Sequence, residues 1–286
     1  MVKFLQRCYV YLIFVFLYMP IAVLMVYSFN DSRSRGTWGG FTLRWYVELF
    51  QDRTIMTSLY YTLLIGVSAS LIATIIGTVA ALGIHNSRGW KKKLVMNVTY
   101  IPVLNPDIVT AISLMILFVF ARVRLGFVTL LLAHITFNIP YVILSVLPKL
   151  RQLNKHLYEA ALDLGATPGQ AFWKVIIPEI MPGIVTGMLL AFTLSIDDFV
   201  VSFFTTGSGV STLSITAYSM ARRGINPKIN ALSTIMFVFV LVLLVIVNIR
   251  QEREHKKGRG GKNGSKRQDR GYSSEFGDSQ FGSEWV

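Results

Sequence analysis

The sequence is poor in the groups that enzymes and metal proteins use. Only one of its 286 residues is cysteine, four are histidine, and charged residues make up 15%. The single Cys8 excludes a disulfide within the chain, and the histidines show no metal-ligand spacing. No nucleophile elbow occurs, and the glycine- and lysine-rich segment 258–266 lacks the Gly-Lys-Ser/Thr ending of a P-loop. We therefore expect no catalytic residue, no metal and no bound cofactor in this chain.

Apolar residues, by contrast, make up 53% of the chain and fall into long runs. A helix needs about 20 mostly apolar residues to cross a bilayer, because its backbone polar groups must be satisfied within the segment. Six runs reach this length and predict an all-α membrane protein with spans at 9–29, 58–84, 94–121, 127–147, 176–203 and 229–249. A soluble helical bundle is disfavoured, since its helices would keep a polar stripe and the last run has almost none.

Lysine and arginine residues predict the orientation of these spans. With a cytoplasmic N-terminus, 19 of the 28 basic residues fall on the cytoplasmic side. The positive-inside rule then places both termini in the cytoplasm. The C-terminal tail dominates this count, so the short basic loop 88–93 carries the prediction. Membrane orientation also explains the net charge of +13 better than a nucleic-acid partner does.

The composition changes abruptly at Arg250. Residues 251–286 are rich in Lys, Arg, Gly and Ser and have too few apolar residues to offset the entropy of ordering. We therefore predict a transmembrane domain over 1–250 and a disordered basic cytoplasmic tail over 251–286. The first part of the tail either lies on anionic headgroups or is solvated.

The cytoplasmic loop between the fourth and fifth spans, 150–175, predicts two short helices. An apolar stripe runs through residues 153–164, and Gly165 is placed to end that helix in a left-handed conformation. Thr167 is a suitable cap for the next helix, with Pro168 at its first position. A short amphipathic helix at this face docks into a partner, or it packs on the chain's own spans at the membrane surface. The physical pattern leaves both open.

The same loop resembles the EAA loop of ABC importer permeases, in which Glu-Ala-Ala is followed by a glycine and later by a proline. The resemblance implies the type-I importer permease fold and a coupling helix that docks on an ATPase subunit. The residues to which it assigns this role are Glu159, Ala160, Ala161, Asp163, Gly165 and Pro178.

Further segments are similar to the second permease subunit of spermidine/putrescine importers, namely 105–109, 134–137, 194–202 and 230–235. This resemblance spans roughly residues 5–250. It implies a homologous permease partner, an ATPase dimer that holds ATP and Mg, a periplasmic or extracellular substrate-binding protein, and a small cationic polyamine as cargo. The chain itself is then a non-catalytic subunit.

Carboxylates inside the spans are candidates for contact with such a cation, because each costs roughly 2.5–3.5 kcal/mol to insert. Asn105 and a following proline should break the third span next to Asp107. Adjacent residues on a helix differ by about 100°, so at most one of Asp197 and Asp198 faces a central pathway. Aromatic faces attract cations as well. The predicted pathway residues are Asp198, Asp197, Asp107, Asn105, Tyr141 and Phe199.

Alternatives to these assignments remain open at this point. The acids could cap a helix or pair with a cation of a partner subunit, and His134 is expected to be a hydrogen-bonded core residue. The cargo could be another small solute. An ion-coupled carrier or channel is a weaker alternative, since it predicts acids on several spans and leaves the pattern of the 150–175 loop unexplained.

Overall fold

The computed structural model describes residues 2–32, 37–154, 156–223, 227–246 and 248–249. The described residues form helices joined by short connections, with an isolated antiparallel bridge between Asn30 and Phe41. The helices are α1 (Val2–Tyr27), α2 (Arg44–Gln51), α3 (Arg53–Asn86), α4 (Gly89–Leu104), α5 (Asp107–Phe120), α6 (Phe127–Gln152), α7 (His156–Asp163), α8 (Pro168–Ala171), α9 (Ile177–Asp197), α10 (Val200–Thr205), α11 (Leu213–Arg222) and α12 (Pro227–Ile246). A π-helical segment, Phe172–Ile176, joins α8 to α9.

Five stretches of the described chain are long and apolar enough to cross a membrane: 6–27, 53–86, 127–152, 168–197 and 227–246. The pair α4 and α5 adds a sixth if it counts as one broken span. The predicted all-α class with up to six spans is therefore confirmed. The predicted tail, 251–286, lies outside the described residues.

The core consists of three long helices, α3, α6 and α9, which pack on one another. Ala73 and Ala81 of α3 meet Val142 and Val146 of α6 and Ile180 of α9, and all of them are almost completely buried. Small residues allow this close approach, because side chains at such positions would separate the helices. These three helices form the frame that positions the loops at both ends.

At one end of this frame, α2 and α11 cover the start of α3. Trp45 is buried and its indole Nε1 donates a hydrogen bond to the carbonyl oxygen of Asn30 at 2.8 Å. The hydroxyls of Ser58 and Thr216 are 2.7 Å apart and join α3 to α11. The loop that connects α6 to α9, with α7 and α8, lies at the opposite end.

Two predicted spans are interrupted in the structure. The break predicted at Asn105 is present, and the axes of α4 and α5 differ there by 107°. In place of the predicted fifth span, 176–203, the helical stretch begins at Pro168 and α9 ends at Asp197, and α10 follows after a two-residue break. No proline lies at this second break, where the Asp198 side chain accepts two backbone amides, as described below.

The first helix, α1, lies apart from this core. The apolar window of α1 has none of its residues buried, so its side chains are available for lipid or another subunit. The structure divides into two units after Leu243. All contacts described here lie within the first unit. In the second unit, residues 244–246 and 248–249 are helical.

Candidate functional site

The first of the two short helices predicted for the 150–175 loop is present as α7, and Gly165 ends it as expected. Gly165 has a φ of +85°, in the left-handed region that favours glycine. The amide of Ala166 donates to the carbonyl of Ala161 at 3.0 Å, and the amide of Gly165 donates to that of Leu162 at 2.9 Å. These two bonds form a Schellman motif, which satisfies the last carbonyl groups of the helix.

The second helix of the loop also begins as predicted. The Thr167 hydroxyl accepts from the amide of Gln170 at 3.3 Å, and the Gln170 side chain accepts from the amide of Thr167 at 3.1 Å. This reciprocal pair is a capping box, with Pro168 at the first helical position. The π-helical segment then leads into α9, where Pro178 is the second residue. Pro178 therefore lies where its missing amide hydrogen costs no hydrogen bond between turns of α9 itself.

The surface of α7 has few contacts with the rest of the chain. None of its residues is buried, and it packs on α8 and the π-helical segment. Glu159 is exposed and lies 3.1 Å from the Nδ1 atom of His156. The neighbouring Leu164 and Trp173 are 90% and 69% exposed. Large apolar side chains left exposed in this loop are available for contact with another protein.

A cavity of about 460 Å³ lies between this loop and the frame. Leu82 of α3 and Leu150 of α6 line it from one side, and Tyr158 of α7 and Phe172 of the π-helical segment from the other. The loop is therefore not tightly packed against the helix ends that it connects.

The residues predicted for the pathway fall into two groups. Asn105 and Asp107 are both exposed at the break between α4 and α5. Tyr141 of α6 is half-buried and its ring centroid is 5.3 Å from that of Phe137. The structure therefore exposes an amide and a carboxylate at this break.

The second group lies at the break between α9 and α10, where Asp197 and Asp198 differ sharply. Asp197 is exposed, and its side chain makes no hydrogen bond or ion pair within the described part of the chain. The Asp198 side chain is only 7% exposed. Its two carboxylate oxygens accept from the amides of Val201 at 3.1 Å and Ser202 at 2.7 Å. The geometry of Asp198 therefore corresponds to the helix cap that the sequence left open as an alternative.

Phe199 follows directly and belongs to an aromatic cluster. Its ring centroid is 4.7 Å from that of Tyr218 on α11 and 5.4 Å from that of Phe203 on α10. The guanidinium of Arg222 lies over the Tyr218 ring at 5.7 Å. Tyr218 was not among the predicted residues, because nothing in the sequence indicates that α11 brings this ring to Phe199 and Phe203.

A cluster of buried polar side chains lies between α6 and the break that separates α9 from α10. The sequence did not predict that these side chains would contact one another. The Nε2 atom of His134 is 3.0 Å from the Ser202 hydroxyl and 3.6 Å from the Asp198 carboxylate. One turn further along α6, the Asn138 amide donates to the Ser195 hydroxyl at 2.7 Å. His134 is thus the hydrogen-bonded core residue that the sequence predicted. Its spacing of four residues from Asn138 was the available signal for a shared polar face.

A third acidic group lies at the end of the frame that α2 and α11 cover. The Lys228 ammonium is 3.5 Å from Glu48 and 3.6 Å from Asp52, beside a cavity of about 810 Å³. A hydrogen bond from Arg44 holds the pKa of Glu48 below its usual value, and the Lys228 charge adds to this effect. This group already contains basic partners, so it does not offer free carboxylates to a ligand.

The arrangement of an exposed loop helix at one end and broken apolar helices within the core can be compared with known proteins. Residues 73–256 match the family described as the inner membrane component of binding-protein-dependent transport systems. The chain belongs to this family. It is therefore a permease of the ABC importer type, and the five or six apolar helices indicate a multi-pass inner-membrane protein.

Several relatives of this permease are named as permease proteins of spermidine or putrescine transport systems. It is 38% identical over 238 residues to the spermidine/putrescine transport system permease protein PotC of Haemophilus influenzae, covering 83% of this chain and 93% of that one. It is 40% identical over 229 residues to PotC of Escherichia coli, covering 80% and 87%. It is also 40% identical over 235 residues to the putrescine permease PotI of Escherichia coli, covering 78% and 82%.

Solved structures agree with the fold. A chain of a bacterial ABC transporter involved in the import of alginate superposes with a TM-score of 0.67 at 18% identity, covering 89% of this permease and 95% of that chain. A chain of an amino acid ABC transporter gives a TM-score of 0.57 at 19% identity, covering 74% and 100%. At this identity the likeness supports the type-I permease architecture and carries no information on cargo.

Proposed function

We propose that this permease forms, with a homologous permease subunit, the translocation pathway of an ATP-driven polyamine importer. The observation that carries the cargo assignment is the 38–40% identity, over most of the chain, to permeases whose names specify spermidine and putrescine. Polyamines are flexible chains of ammonium groups, each of which needs a carboxylate, a carbonyl group or an aromatic face. Exposed carboxylates on apolar helices fit this need.

Asp107 and Asp197 are the carboxylates proposed to meet the substrate. Each is exposed beside a helix break, and the aromatic Phe199 lies two residues after Asp197. Tyr141 of α6 is a further aromatic residue proposed for the pathway. Asn105 adds an amide group at the first break. Broken helices inside a membrane free backbone groups that then need partners, which makes such breaks common at transport sites.

The energy for transport is proposed to enter at α7. ATP and Mg would be bound by an ATPase dimer, and α7, with Glu159, Ala160, Ala161, Asp163 and Gly165, would dock on it as the coupling helix. Pro178 would fix the start of α9 behind this helix. The exposure of α7 supports this role, since a helix without buried residues gains little from its own chain. A substrate-binding protein would deliver polyamine at the opposite end.

Uptake by the reconstituted complex tests this function. Proteoliposomes that enclose ATP and contain the permease with its ATPase and neighbouring transport subunits should accumulate labelled spermidine or putrescine when the binding protein is present outside. Glu159→Lys reverses a charge on the docking surface and should abolish ATP-dependent uptake. Glu159→Gln, which keeps the length and one acceptor oxygen, is the matched control and should retain most of it.

Two results would contradict the proposal, in different ways. A complex that assembles and hydrolyses ATP but ignores both polyamines would remain an importer with another cargo. Normal uptake by Glu159→Lys would remove α7 from the coupling role and leave the cargo assignment intact.

A further inference from the structure

The break in the fifth span is maintained by the side chain of Asp198. The backbone leaves the helical conformation there, with φ −63° and ψ 127°, so α9 ends and α10 begins two residues later. Both oxygens of the carboxylate accept amide hydrogens of the first turn of α10, those of Val201 and Ser202. Without these acceptors the two amides would lack partners in a largely buried environment.

Three other helices contact the same point. From α6, His134 approaches the Ser202 hydroxyl and the Asp198 carboxylate. From α11, the Ser214 hydroxyl donates to the backbone carbonyl of Asp198 at 2.7 Å. The amide of Asp198 itself donates to the carbonyl of Leu194 in α9 at 3.1 Å. Asp198 is therefore the residue at which α6, α9, α10 and α11 are joined.

The polar cluster around this joint is not fully satisfied. Within the described residues, the Nδ1 atom of His134 and the Oδ1 atom of Asn138 are buried and have no hydrogen-bond partner. Leaving buried polar atoms unpaired is unfavourable, and apolar side chains of similar size would avoid the cost. Local rules of this kind are most often broken where function requires a particular polar residue.

Asp197, one residue earlier, has the opposite surroundings. It is the last residue of α9, it is exposed, and its side chain makes no hydrogen bond or ion pair within the described residues. A cation that approached Asp198 would have to compete with two amide donors for the oxygens of a side chain that is only 7% exposed, whereas Asp197 is exposed.

We propose that Asp198 is a positioning residue and not a substrate ligand. With Ser202 and His134 it holds the break between α9 and α10, and the break in turn determines where Asp197 and Phe199 are presented. This inference rests on the proposed transport function for its kinetic consequences, although the capping role itself does not. It assigns different tasks to two adjacent carboxylates that the sequence alone treats as equivalent.

The first test needs no substrate. Hydrogen exchange of the α10 amides is measured in the assembled complex in lipid nanodiscs, for Asp198→Ala, Asp198→Ser and Asp197→Ala. Loss of a cap should speed exchange in 200–205 by roughly two- to thirtyfold in Asp198→Ala, and the shorter serine oxygen should restore much of the protection. Asp197→Ala is the matched control and should exchange as the wild type does. Unchanged exchange in Asp198→Ala would overturn the capping role, whatever the cargo is.

The second test separates positioning from binding by uptake kinetics. Asp197→Asn should raise the KM for the transported polyamine by about tenfold or more, because it removes one charge-assisted contact. Asp198→Asn keeps one acceptor oxygen, so it should lower the maximal rate and leave KM within about threefold. An equal rise of KM in both variants would overturn the proposal and make Asp198 a ligand. If Asp198→Ala fails to assemble, Asp198→Asn and Asp198→Ser still decide between these results.

A complex that transports neither polyamine but shows the predicted exchange pattern would contradict the proposed cargo and leave the positioning role in place. The two proposals therefore fail separately.

Discussion

Gly165 is the residue on which the shape of the proposed coupling surface depends most directly. Its φ of +85° lets the chain turn back so that Leu164 is 90% exposed at the end of α7. A Cβ atom added at Gly165 would meet no other atom within 4 Å, so a substitution acts through the backbone conformation alone. A substitution at Gly165 therefore tests whether the left-handed backbone conformation at the end of α7 is needed.

We predict that Gly165→Ala weakens docking of the ATPase subunit. The left-handed conformation costs a residue with a Cβ atom about 1 kcal/mol, which corresponds to roughly fivefold weaker binding if α7 must keep this end to dock. Gly165→Asn is the matched control, because asparagine tolerates this conformation. Co-purification of the ATPase subunit across a concentration series measures the effect. Equal loss in both variants would show that the glycine matters for a reason other than its φ.

Asp197 and Asp198 show that the surroundings of a single carboxylate determine whether it is accessible or caps a helix. Both are carboxylates in an apolar run, and the sequence gives no means of ranking them beyond the 100° between neighbouring side chains. The structure separates them by exposure and by the two amides that Asp198 accepts from. Capping contacts of this kind depend on where the chain turns after residue 198, which composition and periodicity do not encode.

At the scale of elements, the contact between α3 and α6 depends on a glycine. A Cβ atom at Gly77 would lie 2.7 Å from Cγ1 and 2.8 Å from Cβ of Val142, closer than real side-chain atoms approach. The obstacle is the buried, β-branched base of a side chain in the core, so it cannot move aside easily. Gly83, six residues later on the same helix, has no atom within 4 Å of the corresponding position.

We therefore expect Gly77→Ala to destabilise the helical frame and Gly83→Ala to leave it unchanged or slightly more stable. Overpacking in a core typically costs about 1–3 kcal/mol, whereas alanine in an open helical position gains about 0.5–1 kcal/mol over glycine. The fraction of monodisperse permease remaining after heating, measured against temperature in one detergent, compares the two variants. Equal midpoints for Gly77→Ala and the wild type would mean that α3 and α6 approach less closely than described.

The sequence predicted those elements whose signals are local. The apolar runs indicated the spans, Asn105 and the following proline indicated the first break, and Gly165, Thr167 and Pro168 indicated both ends of the short loop helices. It did not predict the second break, the contact of α11 with Asp198, or the joint at His134. The caps at the second break are local, three and four residues apart, but neither composition nor periodicity shows where the chain leaves the helix. The other two features arise from contacts between residues 16 and 68 positions apart, which no local pattern specifies.

At the scale of the whole molecule, all of these assignments require one orientation in the membrane. The proposed coupling loop, 150–175, must be cytoplasmic. The basic loop 88–93 must be cytoplasmic as well, because it follows the end of α3, whereas Trp45 lies at the start of α3. The segment 28–52 must then be on the outer side, where a binding protein would deliver substrate. The distribution of basic residues predicts the same arrangement, although the short loop alone carries most of that evidence.

Two tryptophans and the single cysteine allow this orientation to be tested. Trp38 and Trp90 are 56% and 72% exposed, on the segments before α2 and at the start of α4. In a background with Cys8→Ser, which removes the only native thiol, Trp38→Cys should react with a membrane-impermeant maleimide in cells with an opened outer barrier and an intact plasma membrane. Trp90→Cys should react only after the plasma membrane is permeabilised, because a charged reagent does not cross the hydrocarbon core. The reverse pattern would place α7 outside the cell, and the proposed coupling to a cytoplasmic ATPase would then be wrong.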